Sequence, residues 1–193
     1  MTMNRILCIV LVALLHAPMQ AGVKLGTAGV TKAINQSEHT LKINWYENGI
    51  SGYEASIGPK TSPLLPGGGT FIQWCQPAGG NVLKITVGGR WVELCDAGEL
   101  PGPGRKAKIM IKGDKDMVLG ATSWNRQADG SMYWMLDDRR NDDNLILKRN
   151  VNYHLYVTPN GYIYFLGEGM MRDLYEPKKL GYPTENENIG WPF

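Results

Sequence analysis

The sequence predicts an all-β fold: an antiparallel β-sandwich or partly closed barrel, held by one disulfide and ending in an irregular C-terminal arm. Three observations carry this. Apolar and polar residues alternate along most of the chain, and the 3.6-residue period of a helix hardly occurs. Glycine (24 residues) and proline (11) are plentiful, a composition that suits short strands and tight turns. Two cysteines, Cys75 and Cys95, close the ends of a stretch that reads as one hairpin, "CQPAGGNVLKITVGGRWVELC".

The chain opens with a single positive charge at Arg5, an apolar run from Ile6 to Leu15, then Pro18 and small or polar residues to Ala21. That order is the order of a secretory signal peptide, and the run is too short to span a bilayer. Residues 1–21 are therefore expected to be removed, with cleavage after Ala28 in "LGTAG" as the alternative, because Met19 occupies a position that prefers a small residue. Cleavage takes away Cys8 and leaves two thiols, which in an exported protein read as one disulfide, Cys75 to Cys95. The expected location is extracellular, or periplasmic in a bacterial host. Asn35-Gln36-Ser37 is a sequon, relevant in a eukaryotic host.

The remaining chain, roughly 170 residues, is enough for one domain with a substantial core. Residues 22–169 read as a single all-β domain and 170–193 as an extended arm. In "TLKINWYENG", Leu41, Ile43 and Trp45 share one face, and Asn48-Gly49 supplies the turn that follows. "NVLKITV" and "RWVELC" flank Gly88-Gly89, a second hairpin. If "TFIQWC" is a strand ending at Cys75, the disulfide staples it to the far arm of that hairpin, joining three strands. "GELPGPG", with two prolines and three glycines, reads as a loop between two strand-rich halves. "KAKIMIK" alternates lysines with Ala107, Ile109 and Ile111, as an edge or solvated strand would. "VNYHLYVTPNGYIYFLGEG" predicts strands over 152–157 and 162–166 joined through Asn160-Gly161.

Charge and motif exclude several function classes. Twenty Lys and Arg nearly balance eighteen Asp and Glu, so net charge makes no case for nucleic acid. Outside the signal peptide the histidines are His39 and His154, in no metal-ligand spacing, and no GxSxG elbow occurs. No catalytic residue is assigned, and a secreted hydrolase is the third reading because carboxylate-pair chemistry needs no local motif. "LDDRRNDDNL" gathers oxygen ligands of the kind Ca²⁺ takes, but Arg139 and Arg140 sit among them and the spacing is not an EF-hand's. It reads as a solvated turn, with no metal or other cofactor expected.

Aromatic residues are the more suggestive feature. All six tryptophans and nine tyrosines follow the signal peptide. In "GATSWNRQADGSMYWML", Trp124 falls beside a turn, and Tyr133 and Trp134 point to opposite faces of the next strand. Exposed aromatics beside Asn, Arg and Asp stack on sugar rings and bind their hydroxyls. The candidate binding residues are therefore Trp124, Asn125, Arg126, Tyr133, Trp134, Asp137, Asp138 and Arg140. The tail's "GWPF" would suit docking on a partner protein or on the parent domain.

The stretch "AINQSEHTLKINWYENG" followed by "LLPGGGTFIQW" resembles the opening of the small secreted β-sandwiches of the aegerolysin and actinoporin kind. The resemblance implies a membrane-active, cytolysin-like protein with lipid as partner. It departs at "GVKLGTAGVTKAIN", a poor helix where an actinoporin presents an amphipathic one. The leading reading remains a binding protein for a glycan or a protein surface.

Overall fold

The computed structural model describes residues 28–76, 81–101, 105–126, 132–139 and 144–167, with the backbone alone over 122–126 and 132–139. The expected signal peptide and C-terminal arm lie outside these residues. The described chain forms β1 (Ala28–Asn35), β2 (Leu41–Glu47), β3 (Ile50–Ile57), β4 (Thr70–Ile72), β5 (Asn81–Val87), β6 (Arg90–Leu100), β7 (Lys106–Gly113), β8 (Val118–Arg126), β9 (Met132–Arg139), β10 (Asn144–Lys148), β11 (Asn152–Val157) and β12 (Ile163–Gly167). They make two six-stranded sheets, ordered β4-β1-β11-β12-β8-β9 and β10-β7-β6-β5-β2-β3. These are the two layers of a sandwich; neither closes into a barrel.

Alternation decides what each sheet buries. Leu41, Ile43, Leu83, Ile85, Val92, Leu94, Ile109 and Ile111 face inward from one sheet and meet Val30, Leu155, Val157, Ile163 and Phe165 from the other. Each such side chain contributes about 1.5–3 kcal/mol when fully buried, so this layer is the main source of stability. The hairpins are set by their turns. Asn48 and Gly49, and likewise Gly88 and Gly89, all have positive φ, the backbone that matches the twist of paired strands and fixes Glu47 opposite Ile50 and Val87 opposite Arg90. At the third hairpin, Gly161 N donates to Thr158 O at 3.0 Å and Tyr162 N to Thr158 Oγ1 at 3.0 Å.

Most pairings are antiparallel, but β1 with β11 and β12 with β8 are parallel. A parallel pair requires a crossover, and here the connections run through the other sheet. The "KAKIMIK" segment is not an edge: β10 pairs along β7 from Lys106 to Met110. Its lysines face solvent from the outer face of an inner strand, and alternation alone does not distinguish outer face from outer edge. The "GELPGPG" loop is shorter than expected, because β6 runs on through Leu100.

The sequon asparagine belongs to the scaffold. Asn35 is fully buried; its Nδ2 lies 2.7, 3.1 and 3.3 Å from the carbonyl oxygens of His39, Gly58 and Ile57, and its Oδ1 accepts from Ser37 Oγ at 2.7 Å. It ties the end of β1, in one sheet, to the end of β3, in the other. The nitrogen that a glycan would occupy is enclosed. Asn35→Ala should therefore lower stability by about 3 kcal/mol in urea denaturation, because buried carbonyls lose their donor; a change within 0.5 kcal/mol would show that this link is dispensable.

Tyr53 stands opposite Trp45 and packs on the core. Its hydroxyl has no hydrogen-bond partner among protein groups, and burial pushes its pKa up from the usual 10.0 to about 12. Above pH 10 the unfolded chain releases the phenolic proton while the folded chain retains it, so stability falls as pH rises through that window. Tyr53→Phe should be neutral or slightly stabilising at pH 7 and should lose less stability than the parent between pH 10 and 12, read from urea midpoints at both ends.

Candidate functional site: an exposed tryptophan over a buried ion pair

β4 lies in one sheet, but the residues after it cross to the other. Cys75 N donates to Asp96 O at 2.8 Å and Asp96 N to Gln73 O at 2.7 Å, so Gln73 to Cys75 lie alongside β6, with Trp74 bridged to Asp96. The place is available because β5 pairs with β6 only from Leu83↔Leu94 to Val87↔Arg90. The Cys75–Cys95 disulfide closes this junction, with Cα atoms 5.0 Å apart. It ties the segment that follows β4 to β6, which is paired with β5, as expected, although β4 itself belongs to the other sheet. "TFIQWC" alternates as a strand should, yet β4 stops at Ile72 where the chain changes sheet, a break that periodicity does not register.

Beneath the junction is a buried ion pair. The side chains of Asp96 and Arg149 are each 1% exposed. Arg149 Nη1 donates to Asp96 Oδ2 at 2.6 Å and Nη2 to Oδ1 at 2.9 Å, the two-point geometry that suits guanidinium and carboxylate. Asp96 Oδ1 also accepts from Gly98 N at 2.9 Å, across the bulge that β6 makes between Asp96 and Gly98. Arg149 N donates to Arg105 O at 2.7 Å, and Glu99 Oε2 lies 3.8 Å from Arg149 Nε. Removing one member of such a pair strands a charge out of water at about 3–5 kcal/mol.

Trp74 covers this pair. Its ring centroid lies 4.8 Å from the Arg149 guanidinium carbon, and 52% of the residue is open to solvent. The ring rests on a guanidinium held by two hydrogen bonds to Asp96, and the next residue is tied down by the disulfide. The result is a rigid aromatic surface facing water.

A second tryptophan, Trp91, is 37% exposed on the outer face of β6. Lys84 Nζ lies 4.7 Å from its ring centroid and 3.7 Å from Glu93 Oε1. Trp91 N donates to Asp114 Oδ2 at 2.8 Å. Gly113 leaves room for the ring, since a Cβ there would sit 2.8 Å from two ring carbons.

The residues singled out in the sequence are elsewhere. Trp124, Asn125 and Arg126 lie in β8 and Tyr133, Trp134, Asp137 and Asp138 in β9, the edge strand of the other sheet, with Trp124 opposite Trp134 and Asn125 opposite Tyr133. Their side chains, and Arg140 altogether, lie outside the described residues. β9 continues through Arg139, so Asp137 and Asp138 are strand residues and not part of a turn. Among the described residues no three His, Cys, Asp or Glu come together as metal ligands. Sequence reasoning missed Trp74 and the ion pair, although Trp74 and Asp96 each adjoin a disulfide cysteine, which was the available signal.

No family model, curated protein or solved structure matches the chain. The resemblance to aegerolysins and actinoporins thus stays one of strand and turn order.

Proposed function

We propose that this is a secreted β-sandwich binding protein that recognises a glycan or a protein surface through exposed aromatic side chains set beside charged groups. Trp74 is the observation that carries the reading. An exposed indole normally loses side-chain freedom when it binds, but this one is already held over Arg149 by a cation–π contact, so little ordering remains to oppose binding. Aromatic rings of this kind offer large apolar area with a polar edge, which suits the face of a sugar or a protein hot spot.

Export is supported by the charged, apolar and small-residue order of residues 1–21 and by the disulfide, a bond of oxidising compartments. Among the described residues no helix is long and apolar enough to cross a membrane. Cleavage after Ala21 fits better than after Ala28, since Ala28 is the first residue of β1, buried and paired with Ile72.

The test is binding of the oxidised protein to a printed glycan array, with Trp74→Ala and Trp74→Phe in parallel and urea midpoints measured for all three. Trp74→Ala should weaken the bound neutral glycans at least tenfold while Trp74→Phe retains part of the signal. Undiminished binding by Trp74→Ala would remove Trp74 from the site, and a parent protein that binds no sugar would remove the glycan as ligand.

A further inference from the structure

We infer that the outer face of the sheet β10-β7-β6-β5-β2-β3 is a binding surface for an acidic polysaccharide. The inference rests on the reading of the chain as a glycan-binding protein, but on a different surface from Trp74. Strand register places the outward side chains in rows. Glu54, Asn44, Lys84, Glu93 and Lys112 form one row across five strands; Ser56, Lys42, Thr86 and Trp91 form the next. Towards the other end, Lys108 stands opposite Ile146 and Lys106 opposite Lys148. Six lysines thus share this face with two glutamates, in a chain whose Lys and Arg total 20 against 18 Asp and Glu. The near-neutral total conceals a segregated basic surface.

Three of these cations are unspent. Lys42, Lys108 and Lys112 are exposed and make no ion pair among the described residues. Neighbouring strands are about 4.8 Å apart, so Lys84 and Lys112, two strands apart in one row, are separated by about 10 Å. A polymer bearing an anion on every sugar can therefore meet a lysine at each of these positions.

The shape of the face favours a sugar over other polyanions. Trp91 passes close to Gly113 with Lys84 Nζ over its ring at 4.7 Å from the centroid, so an aromatic ring and a cation stand together on this face, the two groups that meet the C–H edge and the carboxylate or sulfate of an acidic sugar. A membrane contact would need a cluster of projecting apolar side chains, whereas the exposed large hydrophobics of this sheet among the described residues are Trp91 and, at the hairpin end of β3, Ile50. Nucleic acid is usually met by arginine and by successive stacking rings; the outward positions of these rows hold no arginine and a single tryptophan.

The experiment uses the oxidised full-length mature chain, the triple variant Lys42→Glu/Lys108→Glu/Lys112→Glu, and Trp74→Ala. Each is titrated against polygalacturonate, dextran sulfate, neutral dextran, phosphatidylserine vesicles and poly(dT). All three lysines are solvent-exposed, so the triple variant should keep its thermal midpoint, checked by circular dichroism. The expected result is binding to the two acidic polysaccharides and not to neutral dextran. It should weaken as salt rises, fall at least tenfold in the triple variant, and persist in Trp74→Ala. Undiminished binding by the triple variant, or a parent that binds neither acidic polysaccharide, would overturn the inference. So would tighter binding to the vesicles or to poly(dT). Loss in Trp74→Ala alone would place glycan binding at Trp74 and reject the basic face.

Discussion

Two opposite charges are enclosed at the point where the chain passes from one sheet to the other, and the geometry around them depends on their staying paired. Asp96 and Arg149 share two short hydrogen bonds with almost no exposure. Without its partner, either charge would be left buried and uncompensated. Asp96 in turn sets the β6 bulge through Gly98 N, and its backbone receives the Gln73–Cys75 segment on both sides. The disulfide then closes a loop of twenty residues, worth about 3 kcal/mol by the chain-entropy account. The core supplies most of the folding free energy, but it is non-directional. The ion pair and the disulfide decide where the chain changes sheet.

The exposed aromatic surface follows from that constraint. Trp74 has a fixed floor because Arg149 is itself fixed by Asp96. The outer face of the second sheet owes its shape to a different cause: period-two alternation buries leucine, isoleucine and valine on one side and leaves lysines in register on the other. The two surfaces proposed for recognition, an exposed ring and a charged plane, therefore come from features that first serve the fold. Asn35 is the converse case. A tripeptide that matches a modification signal is used as an intersheet bond, with its amide nitrogen closed off.

Local signals made much of the fold legible in the sequence. Asn48-Gly49, Gly88-Gly89 and the Thr158 to Gly161 turn are short-range codes, and the strands beside them alternate cleanly. Alternation states which face a residue occupies and not which strand lies next to it. That is why β7 reads equally as an edge or a solvated strand, and why the change of sheet after β4 and the two parallel pairings have no signal in the sequence. The candidate site was less legible still. Asp96 and Arg149 are 53 residues apart, and no pattern joins them before the chain folds. The lysines of "KAKIMIK" were visible individually, but their alignment with Lys42 and Lys84 depends on a strand order that no single segment encodes.

The most direct measurement is a double-mutant cycle on the pair: Asp96→Leu, Arg149→Met and the combination, each compared with the parent by urea denaturation at pH 7. If the pair governs the junction, either single change should destabilise by about 3–5 kcal/mol and the double by no more than one of them. The coupling would then be at least about 3 kcal/mol. Single losses that simply add, with coupling near zero, would contradict the account and leave the sheet crossing to the disulfide and the core.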